Sequence, residues 1–251
     1  RVAGIDTARK IVTTSAGAFD YAKLVIAIGA QPIRLAISGD AADQVMTVNH
    51  VADYAIFRAK IASITHGEPA RITILGAGLI GCEFADDLAG AGHAVTLVDP
   101  NRLPLAALAA PALSQGWQSA GRERGIELQL GTTAASIDRI DNALQVTLAN
   151  GHTLITDLVL SAVGLRADVA LAQAAQLNTG RGIIVDASGQ TSAADVYALG
   201  DCAEYTLHTD GSTRLLPYIA PLMTAARAIA RTLTGQITTI DLKPAPVIEI
   251  A

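Results

Sequence analysis

The sequence predicts an α/β fold, with strands buried between covering layers, and three observations carry that prediction. Continuous apolar runs, LVIAIG, DLVLSAVG and VYALG, read as strands covered on both faces, and each ends at a glycine. Stretches of helical spacing separate such runs, as in a parallel sheet. The composition agrees: 51% of residues are hydrophobic, only 16% are charged and 4% are aromatic. At 251 residues the chain is long enough for two domains of about 100–150 residues.

Taken in order, Val2 to Tyr21 alternates apolar segments with turn residues (VAGIDT, KIVTT, SAGAFDY), which predicts a small antiparallel meander. LVIAIGAQP predicts a buried strand ending at Gly29, since Pro32 lacks the N–H that a continuing ladder needs. HVADYAIFRAKIA has helical spacing, and HGEPA closes this section. RITILG then predicts a strand, Leu79 to Ala91 a helix, GAGH a turn, and AVTLVD a second strand ending at Asp99. LPLAALAAPAL, broken by two prolines, reads as a loop into a helix from Pro111 to Arg124, followed by the strand IELQL. ASIDRI, ALQVTL and HTLI, joined by the turns DNA and ANG, predict a meander crossing one face of the sheet. After the strand DLVLSAVG come a short helix in RADVALAQAAQLN, a hairpin in GIIVDASGQTS and the strand VYALGDCAE. A helix from near Pro221 to Gly235 has proline at its start and glycine past its end, and the tail APVIEIA predicts a strand.

Charge and cysteine usage exclude several classes. A net charge of −5, with 18 dispersed Lys and Arg, leaves no basic footprint for nucleic acid. No apolar run reaches the roughly 18 residues that span a bilayer, and no secretory leader is read at the start. Cys82 and Cys202 lack any CxxC or CxxxxC partner, so neither a redox dithiol nor a metal site is expected, and a reducing cytoplasm is the default compartment. Both read as small buried hydrophobes. His50, His66, His93, His152 and His208 show no ligand spacing, and Trp117 on an Ala-rich helix reads as core.

The stretch LGAGLIG carries the chemistry. A diphosphate is anionic and needs backbone donors brought close; Gly76 permits the tight turn, Gly78 the close approach, and Gly81 the packing of helix on strand. The helix then aims its unpaired N–H groups and positive dipole end at the charge, which assigns Gly76, Ala77, Gly78, Leu79, Ile80 and Gly81 to a dinucleotide. Asp99, 23 positions after Gly76, falls where a carboxylate accepts hydrogen bonds from the adenosine ribose. A 2′-phosphate about 4 Å from that carboxylate meets about 4 kcal/mol of repulsion at an effective dielectric near 20, so NADH is expected over NADPH unless Arg102 folds back onto the phosphate.

Four stretches, YAKLVIAIGAQPIRL, ILGAGLIGCEFADDLAGAG, LVLSAVGLRAD and TSAADVYALGDCAEY, give the chain a resemblance to a known group. It is similar to the FAD-dependent reductases of the pyridine nucleotide-disulfide oxidoreductase superfamily, in the branch that serves rubredoxin. The resemblance implies two Rossmann-like three-layer nucleotide-binding domains, the NAD domain inserted into an FAD domain. Residues 1–55 and 180–240 would be two segments of a partial FAD domain, 68–166 the NAD(H) domain, and 245–251 the start of a C-terminal domain. The family's first FAD glycine turn would lie outside these 251 residues, so this chain alone is expected to hold flavin weakly or not at all.

By the same resemblance Gly200 and Asp201 contact the FAD ribityl and pyrophosphate, Ala3 touches the adenine through its backbone, and Gly29 joins the cofactor-binding set. Gly164 ends the strand bordering the nicotinamide site. Ile219 matches a residue at the flavin edge, with an ordinary core side chain as the alternative. Glu83 matches a catalytic glutamate beside flavin and nicotinamide; the alternative is a carboxylate favoured by the helix dipole. The implied function is an NADH-dependent flavoprotein reductase feeding electrons to a rubredoxin-type iron–sulfur protein. Its rivals are a flavorubredoxin or ferredoxin reductase, an NADH oxidase, and a catalytically silent nucleotide-binding fragment.

Overall fold

The computed structural model describes residues 1–65, 68–206 and 212–242. The strand expected in APVIEIA, part of the HGEPA loop, and His66 and His208 lie outside the described residues. The chain divides into two compact units, one of residues Arg1–Gln31 with Arg166–Ala251 and one of residues Pro32–Leu165.

The discontinuous unit opens on an antiparallel meander of β1 (Val2–Asp6), β2 (Ile11–Thr14) and β3 (Gly17–Asp20). β4 (Leu24–Ile26) is shorter than the apolar run predicts, because Gly29 turns the backbone to φ +71° before β5 (Ala30–Pro32) begins. The continuous unit then starts with α1 (Val51–Thr65), anchored by Phe57 and Ile61, each buried side chain contributing roughly 1.5–3 kcal/mol. There follow β6 (Arg71–Leu75), α2 (Leu79–Gly90), β7 (Ala94–Asp99), α3 (Pro111–Glu123) and β8 (Glu127–Leu130). β9 (Ala134–Ile140), β10 (Ala143–Leu148) and β11 (Thr153–Thr156) lead to β12 (Leu158–Ser161).

Three layers result. β12, β6, β7 and β8 form a parallel sheet in that order, and period-two alternation splits its side chains between two cores. Ile72, Ile74, Leu97 and Leu160 pack with Phe57, Cys82, Ala85 and Trp117 of the helices. Leu75, Val98 and Val159 pack instead with Ile137, Val146 and Leu148 of the β9–β11 meander. The buried residues of α2, Gly81, Cys82, Ala85 and Leu88, recur at helical spacing, and Phe84 meets Phe57 edge to face at 5.6 Å.

The chain returns to the discontinuous unit through β13 (Leu165–Ala167), which pairs with β5, and α4 (Ala170–Ala174). GIIVDASGQTS is not the hairpin that its turn residues predict. Its strand, β14 (Ile183–Val185), pairs in parallel with a distant segment, while Asp186 ties the following turn by accepting from the Ser188 and Gln190 N–H groups. That distant segment is β16 (Ala203–Thr206), which follows β15 (Val196–Ala198) and pairs on its other edge with β17 (Thr213–Leu215). β15 pairs in parallel with β4. The last helix, α5 (Ile219–Leu233), starts two residues before Pro221, which occupies the first turn where its missing N–H costs nothing, and Gly235 follows its end at φ +95°. No helix among the described residues is long and apolar enough to cross a membrane.

Candidate functional site

β6 delivers the chain to Gly76 at the carboxyl end of the parallel sheet, between β12 and β7. Gly76 adopts φ +106°, which side chains rarely adopt, and a Cβ there would lie 2.6 Å from the Ala162 carbonyl oxygen. A Cβ on Gly81 would fall on the Gly76 carbonyl oxygen. The fold itself therefore demands both glycines. Gly78 differs: it is the exposed N-cap of α2 in extended backbone, and a Cβ there meets nothing within 4 Å. The protein leaves that space open, so packing within the chain does not explain this glycine.

Both backbone polar groups of the intervening Ala77 are tied down. Its N–H donates to Asp99 Oδ2 at 2.6 Å, and its carbonyl accepts from the Leu105 N–H at 2.7 Å and from the Cys82 thiol at 3.5 Å. In a planar trans peptide the carbonyl and the following N–H point in opposite directions, so drawing the Ala77 carbonyl into the core turns the Gly78 N–H outward. The first N–H groups of α2, Leu79 and Ile80 included, have no intrahelical partner, as at any helix start. Outward donors and the positive end of the helix dipole thus converge on one exposed spot, which favours an anion.

Asp99 is 8% exposed, and its other oxygen accepts from the Asn101 N–H and Nδ2, both at 2.8 Å. A carboxylate has about four acceptor positions, so one stays available for a sugar hydroxyl. Sequence reading missed Leu105, Asn101 and Ala162. Leu105 is buried at 2% exposure with φ +55°, a left-handed conformation costing roughly 1–2 kcal/mol, which burial of its side chain offsets. Nothing in LPLAALAAP marks that leucine for positive φ, because its reason is a partner, Ala77, that lies 28 residues earlier in the chain.

Burial pushes the Cys82 thiol up to about 12, and the nearby charges of Asp99 and Glu83 add to the effect. At pH 8 almost no thiolate forms, so iodoacetamide is expected to leave folded Cys82 unmodified and to label it only after denaturation, as read by mass spectrometry. Glu83 itself is exposed and lies beyond the first turn of α2, where the dipole effect has fallen off. The dipole explanation of this carboxylate therefore does not hold. Gly164 follows β12 at φ +107°, and its carbonyl accepts from the Ile33 N–H at 3.1 Å.

In the discontinuous unit the parallel neighbours β4 and β15 are each followed by a glycine of positive φ, Gly29 at +71° and Gly200 at +77°. Ligands of parallel sheets bind outside such carboxyl ends. Half-buried Asp201 sits in the 3-10 turn Gly200–Cys202. Ala3 is exposed at an irregularity in the β1–β2 register, where its backbone is left out of the ladder pairs. Ile219 is the first residue of α5 and is 82% exposed among the described residues.

Behind this region Glu204 on β16 is buried. Burial pushes its carboxyl up, but hydrogen bonds from Thr213 Oγ1 at 2.6 Å and the Gly182 N–H at 2.9 Å, with further help from Arg181, outweigh it and hold the group below its ordinary value. A depressed carboxylate contributes stability above its unfolded value of about 4.3, and the contribution is lost as pH falls through the folded value. Glu204→Gln is accordingly expected to lower the melting temperature at pH 7, with the gap to wild type closing below about pH 4.

Comparison with known proteins agrees with this geometry. The family profile "Pyridine nucleotide-disulphide oxidoreductase" matches residues 1–230. The chain is 44% identical over 229 residues to a rubredoxin-NAD(+) reductase of Acinetobacter baylyi, covering 90% of this chain and 56% of that protein. It is 45% identical over 244 residues to a nitric oxide reductase FlRd-NAD(+) reductase of Aeromonas salmonicida, covering 97% and 60%. Among solved structures, the ferredoxin reductase for the CYP199A2 system of Rhodopseudomonas palustris superposes with a TM-score of 0.89 at 29% identity, over 97% of this chain and 60% of that one. The putidaredoxin reductase–putidaredoxin complex gives 0.87 at 28%, over 98% and 59%. The chain thus spans about 60% of the length of the curated relatives it matches. With a profile match over residues 1–230 and a glycine turn of this geometry, the chain belongs to the pyridine nucleotide-disulphide oxidoreductase family.

Proposed function

We propose that this chain is the nucleotide-handling part of a cytoplasmic NADH-dependent flavoprotein reductase that passes electrons through FAD to a rubredoxin-type iron–sulfur protein. The observation that carries the reading is the clamped Ala77, whose two tethers turn the donors of the Gly76–Gly81 turn outward beside a buried carboxylate with one acceptor position left. Gly76, Ala77, Gly78, Leu79, Ile80 and Gly81 would hold the NADH diphosphate and Asp99 the ribose. Gly29, Gly200 and Asp201, with the backbone at Ala3 and the exposed Ile219, would hold FAD. The relatives' names supply the acceptor class.

FAD, held by those residues, would supply a hydride acceptor for NADH and single-electron chemistry toward the iron–sulfur partner. The chain's own residues bind and orient. The Gly76–Gly81 turn fixes the diphosphate, Gly164 would border the nicotinamide, and Glu83, exposed and unpaired among the described residues, is the carboxylate proposed to stand nearest the chemistry. Cys82 and Cys202 are buried free thiols, so electrons would leave through the flavin and not through a protein dithiol.

Titration of the chain with NADH by calorimetry, a visible spectrum after incubation with FAD, and steady-state rates with rubredoxin or oxygen as acceptor test the proposal. Micromolar NADH binding is expected of this chain, with flavin bands weak unless the family's first FAD glycine turn is supplied, and rubredoxin-dependent turnover is expected to rise with the flavin held. Folded protein that ignores NADH ends the reading, and turnover that follows oxygen but not rubredoxin transfers it to an NADH oxidase. A flavorubredoxin acceptor is the second reading, favoured by the 45% identity to the Aeromonas protein.

A further inference from the structure

The turn that carries Gly200 and Asp201 has a support that lies outside its own motif. Tyr205 on β16 is 2% exposed, and its hydroxyl accepts the Gly200 N–H at 3.1 Å. On the other side of the same peptide unit, the Leu199 carbonyl accepts from the Cys202 thiol at 3.3 Å. The Leu199–Gly200 peptide is therefore held at both its polar ends by side chains that follow it in sequence. Gly200 is buried and has φ +77°, so without Tyr205 its N–H faces the interior with no acceptor. The orientation of that peptide plane determines where the next residue, Asp201, begins.

We infer that Tyr205 is a positioning residue for flavin: its hydroxyl holds the plane of the Leu199–Gly200 peptide and so aims the Asp201 carboxylate. This role rests on reading Gly200 and Asp201 as flavin contacts. Tyr205 reaches Gly200, five residues earlier, because β16 follows the 3-10 turn directly and Tyr205 is its third residue. Phenylalanine fills the same space without the hydroxyl, so Tyr205→Phe removes the hydrogen bond while leaving the ring in the core.

Three measurements on the whole chain test the inference. Amide hydrogen exchange at Gly200 is expected to accelerate about tenfold in Tyr205→Phe, the equivalent of about 1.4 kcal/mol, while exchange at Ala198, whose N–H donates to the Gly189 carbonyl, stays unchanged. The Kd for FAD, read by fluorescence titration, is expected to rise by a similar factor, and the Kd for NADH to stay constant. Equal FAD affinity and equal Gly200 exchange in the two proteins overturn the inference. So does parallel acceleration at Ala198 with a matching loss of NADH affinity, which marks general loosening of the fold. FAD uptake that leaves wild-type Gly200 exchange unchanged overturns the flavin reading of this turn and the role of Tyr205 with it, whereas FAD bound equally well by both proteins overturns the role alone.

Discussion

Gly81→Ala is expected to abolish measurable NADH binding and to lower the melting temperature by several degrees. The added methyl group would fall on the Gly76 carbonyl oxygen, which is backbone and cannot swing aside. Overpacking of this kind costs roughly 1–3 kcal/mol, and relief here requires α2 to move off β6, which also displaces the donors at the helix start. At about 2–4 °C per kcal/mol for a chain of this size, the melting shift falls at roughly 2–12 °C. Gly78→Ala supplies the contrast. Its Cβ meets nothing of the protein within 4 Å, and the change at an N-cap costs at most about 1 kcal/mol. Thermal unfolding should barely change while calorimetry records at least a tenfold loss of NADH affinity, because the new methyl occupies the ligand's space. A Gly81→Ala protein with wild-type melting and affinity would refute the packing argument. Unchanged NADH affinity in Gly78→Ala would place the diphosphate elsewhere.

Asp99→Ala is expected to have the second largest effect and to separate two roles of one carboxylate. Asp99 accepts three hydrogen bonds from Ala77 and Asn101 in a buried setting. Leaving the Ala77 N–H without an acceptor costs about 1–3 kcal/mol, so stability should fall even in the absence of nucleotide. NADH affinity should fall too, through the lost ribose contact and the released turn. NADPH affinity should fall less, since the repulsion of roughly 4 kcal/mol between carboxylate and 2′-phosphate disappears with the charge. Asp99→Asn keeps one acceptor oxygen and removes the charge, so it should retain more stability than Asp99→Ala while narrowing the NADH/NADPH ratio similarly. Binding titrations with both nucleotides and thermal unfolding decide the matter. A lower melting temperature with an unchanged nucleotide ratio would leave Asp99 as a support of the turn only.

How much of this was legible in the linear chain depended on whether the cause was local. Strand runs, the helix limits set by proline and glycine, and the glycine spacing of LGAGLIG all follow from the conformational limits of single residues and from periodicity, and the structure reproduces those elements within a few positions. GIIVDASGQTS misled because its turn residues signal a reversal, which does occur at Asp186, but not which strand will pair with Ile183–Val185. The exposure of Ile219 was equally hidden, since an isoleucine at a helix start reads the same whether it faces core or solvent.

The amino-acid order alone determined the α/β class and the three glycines of the turn, because a missing Cβ acts on its own neighbourhood. Only the tertiary structure decided that Asp99 and Leu105 clamp Ala77, that Leu105 accepts a left-handed backbone to do so, and that Tyr205 holds Gly200. The two tethers of Ala77 join groups far apart in sequence that meet only once the sheet has assembled, and the Tyr205 bond depends on how β16 follows its turn, so no propensity of the individual residues encodes such partners.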